Sequence, residues 1–127
     1  MTPDPIEQNA LPGLDYWRLC DELNLLQTAL LIVGCDPSSA EGYAEYKKIH
    51  ERPMGYEAAK AAISNALRKG AIKGKLVPLY DTDINGDRGE PIDDSIDINE
   101  SNVEVDSVRA WLASRGVRQG CFFPASA

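Results

Sequence analysis

NLLQTALLIVGCDP, residues 24–37, is the densest apolar run of the chain, and the reading of the fold starts there. Leu25, Leu26, Ala29, Leu30, Leu31, Ile32 and Val33 cover most of the circumference of a helix, so that helix must be buried on most sides. Asn24 is suited to cap its start, with Gln27 three residues on as the reciprocal partner of a capping box. Gly34 follows as the residue that leaves the helix, and Asp36-Pro37 opens the next one. Every other segment is amphipathic and needs this core helix as its partner.

Outward from it, residues 1–13 carry Pro3, Pro5 and Pro12 without periodicity and predict a flexible arm. Residues 14–127 predict a single globular domain, the size at which one modest core forms. LDYWRLCDEL (14–23) is a helical or extended lead-in that lays Tyr16 and Trp17 on the core helix. A second helix is expected from Asp36-Pro37 to His50, with Tyr43, Tyr46, Ile49 and His50 at three- and four-residue spacing. His50 is then a C-terminal cap interacting with the helix dipole. ERPMG (51–55) breaks the chain, because Pro53 bars helix at Arg52. The third helix runs from Tyr56 to Lys69 on good helix formers, presents Ala59, Ile63, Ala66 and Leu67 inward, and stops at Gly70.

Beyond Gly70 the pattern turns to strand. Leu76, Val77, Leu79 and Tyr80 predict an edge strand around Pro78, and Ile96/Ile98 and Val103/Val105 predict two short returning strands or one interrupted strand. Asn85-Gly86 is a hairpin turn signal. Asp106 is placed as N-cap of a last helix, SVRAWLASR, with Val108, Trp111 and Leu112 facing in and Gly116 at its end. Val117, Phe122 and Phe123 then return to the core as a terminal strand or tail. The fold class expected is α+β: mostly helical, three to four helices with a small antiparallel β-hairpin.

The chain is an ordinary globular one, with 43% apolar and 26% charged residues. No run approaches the roughly 20 apolar residues of a membrane span, and the acidic, Pro-rich start lacks the basic region of a secretory signal. The compartment expected is the cytoplasm, with no membrane contact. Cys20, Cys35 and Cys121 are too widely spaced for a zinc site and are read as reduced core residues.

Net charge is −7, and its distribution is uneven. Residues 47–75 hold eight bases against two acids, whereas 76–106 hold ten acids against Arg88 alone. Three candidate sites follow. DTDING (81–86) matches the opening of a calcium loop, with Asp81, Asp83 and Asn85 as oxygen ligands and Asp87 as a fourth. The eighth position is Arg88 and the twelfth is Ile92, where a bidentate Glu belongs. Lys60, Arg68, Lys69, Lys73 and Lys75 form a basic run suited to phosphate, the alternative nucleic-acid-binding set. The acidic tract, with Asp81, Asp83, Asp87, Glu90, Asp93, Asp94, Asp97 and Glu100, is either a charged loop guarding an edge strand or a face that docks on a basic protein groove. No nucleophile elbow, zinc-protease, phosphate-loop or dinucleotide motif is present, so neither an enzyme nor a cofactor is expected.

Three stretches, WRLCDELNLLQTALLIVGCDP (17–37), ISNALRKGAIKGKL (63–76) and VEVDSVRAWLASRGVRQGCFFP (103–124), resemble a group of small proteins from phages and mobile elements. Those share an apolar helix ending in G-dP, a turn of the type "ai-kG-l" into a strand, and a closing "aWL---G---ffp". The order of elements is similar to excisionase-type winged-helix modules, in which helices precede a hairpin wing and a last helix. The resemblance implies a winged-helix-like layout. An excisionase-like DNA binder is usually basic, and here the wing is acidic. The function expected is therefore a non-enzymatic protein that binds and inhibits or regulates a nucleic-acid-handling complex through a basic surface on that partner. An anti-CRISPR-type inhibitor is one concrete form. The alternatives are a DNA-binding transcriptional regulator and a calcium-binding module.

Overall fold

Asn24 opens the core helix with both halves of a capping box. Its Oδ1 accepts from the Gln27 amide at 2.7 Å, and its own amide donates to Gln27 Oε1 at 3.1 Å. The computed structural model describes residues 13–40, 45 and 51–123. A 3-10 segment (Gly13–Leu19) leads into β1 (Glu22–Asn24), α1 (Leu25–Ile32) and a single turn, α2 (Pro37–Ala40). Then come α3 (Tyr56–Lys69), β2 (Gly74–Lys75), β3 (Tyr80–Thr82), β4 (Arg88–Pro91), β5 (Asn102–Glu104) and α4 (Val105–Ser114). The fold is α+β, with small antiparallel sheets beside the helices. The remainder of the second helix expected to His50, including Tyr43, Tyr46, Ile49 and His50 itself, lies outside the described residues, as does the arm before Gly13.

Helix α1 is the centre of the core. Leu25, Leu26, Ala29, Leu30 and Leu31 are buried on it, and Thr28, also buried, satisfies its hydroxyl on the Asn24 carbonyl at 2.7 Å. Around them close Tyr56, Ile63, Ala66 and Leu67 of α3, Leu23 of β1, Val103 of β5, Val108 and Leu112 of α4, and Phe122. Gly34 (φ +84°) and Gly70 (φ +77°) leave their helices in the left-handed conformation that favours glycine. Trp17 packs against the core as expected, but Tyr16 is half exposed, because a 3-10 turn spaces it onto the outer side. Cys121 is buried, its thiol donating to the Leu14 carbonyl at 3.3 Å, and Cys20 and Cys35 border the core.

One sheet joins β1, β5 and β2 in that order, all antiparallel, with Leu23 and Gly74 both opposite Val103. Position 74 needs glycine for space: a Cβ there would overlap the Asn102 carbonyl of β5. The second sheet is the hairpin β3–β4, inserted between β2 and β5.

Three expectations are corrected here. Residues 76–79 do not form a strand: Pro78 lacks an amide, and its neighbours bond side chains instead of a ladder. Val77 N donates to Ser101 Oγ and Leu79 N to Ser95 Oγ, each at 2.9 Å. Ile96 and Ile98 likewise sit in a loop, where Asp97 N donates to Val77 O at 2.8 Å, so alternation there marks half-burial rather than a strand. Finally, α4 begins at Val105 and not after Asp106. The extended residue Glu104 is its N-cap, without a side-chain cap bond, and Asp106 in the first turn pairs with Arg109 at 3.1 Å. At the far end Phe122 is buried, but Val117 is exposed and the tail forms no strand.

Candidate functional site

The acidic tract falls almost wholly on the insertion between β2 and β5. Asn85-Gly86 turns the hairpin as its sequence predicts, with Gly86 at φ +84° and its amide donating to Asp83 O at 3.0 Å. Tyr80 pairs with Pro91 and Thr82 with Arg88 across a bulge. The Arg88 guanidinium, the one base of the tract, lies 4.1 Å from the Tyr80 ring centroid rather than on a carboxylate.

The eight acidic candidates divide by what they touch. Asp83 Oδ1 accepts the amides of Asn85 and Asp87, each at 2.9 Å, and Asp97 Oδ1 accepts those of Asn99 at 3.0 Å and Glu100 at 3.1 Å. These two build turns. Asp81 Oδ1 accepts the Thr82 amide. Asp94 holds a left-handed backbone, φ +59°, which a short polar side chain tolerates. The carboxylates of Asp87, Glu90, Asp93, Asp94 and Glu100 bond nothing among the described residues, and none of the eight forms an ion pair there. Five exposed carboxylates on this insertion form no ion pair among the described residues, so their negative charge is left uncompensated there.

Sequence reasoning missed the apolar part of this surface. Leu79, Tyr80, Ile84 and Ile92 are all exposed, and Ile84 at the hairpin tip is 99% exposed. Ile92 N donates to Leu79 O at 2.8 Å, which sets Leu79, Tyr80 and Ile92 together at the hairpin base. An apolar patch rimmed by charge has the make-up of a protein-docking surface. Its signal in the sequence was the failed strand itself, a run of large apolar residues beside Pro78 with no polar alternation.

The basic run does not form one face. Lys60 lies 2.9 Å from Glu45 and 3.4 Å from Glu57, and Arg52 pairs with both glutamates. Glu45 also accepts from the buried Tyr56 hydroxyl at 2.7 Å. Burial alone would raise the Glu45 carboxyl, but the hydrogen bonds from Tyr56 and Lys60 and the charges of Lys60 and Arg52 outweigh it and hold it below its usual value. Burial and the bond to Glu45 push the Tyr56 hydroxyl far up, so it stays a donor. Arg68 donates to the Asp94 carbonyl at 2.8 Å, tying the insertion to α3 over a cavity of about 550 Å³ lined by Lys60, Ser64, Arg68, Leu79, Ile96 and Asn99. Lys69, Lys73 and Lys75 are exposed, the last on the edge strand β2.

The calcium-loop opening becomes the hairpin turn. Strand β4 occupies the eighth to eleventh positions of that loop, no helix follows before β5, and Asp83 spends an oxygen on backbone amides. Among the described residues no three His, Cys, Asp or Glu side chains converge to hold a metal. No helix among them is long and apolar enough to cross a membrane. No family model, curated protein or solved structure matches this chain.

Proposed function

We propose that this protein acts by binding rather than catalysis, docking the acidic β3–β4 insertion on a basic surface of a nucleic-acid-handling protein and so inhibiting or regulating it. A phage or mobile-element origin with an anti-CRISPR-type target is one form of that activity. The single observation that carries the reading is the lack of ion pairing: among the described residues the carboxylates of Asp87, Glu90, Asp93, Asp94 and Glu100 pair with no cation, while Lys60 pairs with Glu45, Arg88 lies on the Tyr80 ring and Arg68 donates to the Asp94 carbonyl rather than to its carboxylate. Leu79, Tyr80 and Ile92 supply the apolar centre such a contact needs. The order of elements, with α1 and α3 first, β2 and β5 flanking the inserted hairpin, and α4 last, is what supports including a winged-helix-like scaffold in this reading. Capture of partners from the natural host, repeated with Glu90→Lys/Asp93→Lys, tests it. Loss of a basic nucleic-acid-handling partner from the variant is the expected result, and equal capture by both proteins rejects the proposal. These two positions are chosen because neither side chain builds a turn.

A second reading, DNA binding through α3, is favoured by the same element order. It places Lys69 and Arg68 on phosphates and predicts salt-sensitive duplex binding that Lys69→Ala weakens. The insertion held over α3 by Arg68 and Asp94 covers part of the helix face that a major groove would meet, which ranks this reading second.

A further inference from the structure

Helices α3 and α4 leave a groove of about 460 Å³ between their C-terminal halves, floored by Ala62, Ala66 and Ala71 and walled by Trp111, with Lys69 and Arg115 beside it. Small residues on α3 are what open it. Arg115 stacks 5.5 Å from the Trp111 ring centroid, and neither Lys69 nor Arg115 forms an ion pair among the described residues. Trp111 Nε1 is buried and has no acceptor among the described residues, so it is the body of the ring that walls the groove. The chemistry that completes the groove is an aliphatic side chain flanked by carboxylates.

The same chain displays that element. At the hairpin tip Ile84 stands 99% exposed between the acids of residues 81–90. The groove draws its cations from α3 and the end of α4, and the hairpin lies in the segment of 76–106 that holds ten acids against one base. We infer that the protein self-associates head to tail, the β3–β4 tip of one copy seated in the α3–α4 groove of the next. Ile84 fills the alanine-floored groove, and Asp87 and Glu90 meet Lys69 and Arg115. Such a contact is heterologous, so it leaves one tip and one groove free and propagates with concentration. It goes beyond the proposed binding activity and engages the same hairpin, so assembled copies would mask the docking surface.

Sedimentation velocity of the full chain alone, from micromolar to millimolar, tests this without any partner protein. Concentration-dependent growth is expected. Ile84→Asp, at a site with no core contact, should weaken it at least about tenfold, the scale of an interface anchor. Lys69→Glu/Arg115→Glu and Asp87→Lys/Glu90→Lys should each abolish assembly alone and restore it when mixed, since the swapped charges again match. A native chain that stays monomeric throughout overturns the inference. So does association that Ile84→Asp leaves unchanged, or charge variants that fail to rescue each other.

Discussion

Asn24 and Gly74 show two ways in which one residue decides local structure. Asn24 acts on its own neighbours, so its capping box with Gln27 could be read from a spacing of three. Asn24→Ala removes the acceptor for the Gln27 amide and should cost about 1 kcal/mol, measured as a shifted urea midpoint at unchanged slope. Gly74 acts on a partner 28 positions away, since its missing side chain lets β2 approach Asn102 and Val103 of β5. Gly74→Ala should therefore cost more than Asn24→Ala, roughly 2–4 kcal/mol, because backbone rather than a flexible side chain must move. Gly34, Gly70 and Gly86 were legible because each ends an element whose pattern stops beside it. Position 74 was not, because only the sheet register reveals the collision. Asp106 was misplaced for a related reason. An Asp before SVRAWL is the ordinary sign of a cap, but pairing of β5 with β1 and β2 keeps the chain extended to Glu104 and starts the helix two residues early.

Among the elements, α3 was read from Tyr56 to Lys69 with both ends as observed, yet its chemistry was not. A tyrosine opening an alanine-rich helix looks like plain core, whereas Tyr56 is buried with its hydroxyl on Glu45, beside Lys60 and Arg52. That network gives α3 a pH dependence. The Glu45 carboxyl is held below its usual 4.5 when folded, so on acidification the unfolded chain takes up that proton first. Its contribution is complete above about pH 4.5 and is lost as pH falls through the lower folded value. Glu45→Gln should flatten the acid side of a stability–pH profile while leaving neutral pH less affected. The Tyr56 hydroxyl, raised when folded, has the opposite sign: its contribution is complete below the ordinary 10.0 and declines above it, and Tyr56→Phe should remove that alkaline decline. The β3–β4 hairpin is the contrasting element. Its residues 81–90 supply nothing to the buried core, so replacing them with a two-residue Gly linker should leave thermal unfolding within a few degrees of the parent chain. The same deletion should eliminate partner capture and self-association together.

At the scale of the whole molecule, opposing charge effects can be separated by salt. The paired charges, Arg52, Lys60, Glu45 and Glu57, are partly buried around Tyr56, and buried pairs are screened weakly. The unpaired carboxylates of the insertion are exposed and repel one another through water, where screening acts over about 8–10 Å at moderate ionic strength. The repulsion should therefore relax more than the attraction weakens, and added sodium chloride should raise the melting temperature between low and moderate ionic strength. Asp87→Asn, Glu90→Gln and Asp93→Asn together keep the side-chain shapes, lower the repulsion, and should remove most of that rise. A melting temperature that falls with salt in the parent chain would mean that the pairs around Tyr56 dominate and that the insertion's charges lie too far apart to act as one field. Charge segregation was the part of the candidate site legible from the sequence, because counting acids and bases along the chain needs no coordinates. Which carboxylates remain available was not, since Asp83 and Asp97 become turn builders only once the hairpin and the 97–100 turn have formed. The salt response of the parent chain reports every exposed carboxylate of the insertion, turn builders included, and the triple amide variant isolates the share that belongs to Asp87, Glu90 and Asp93.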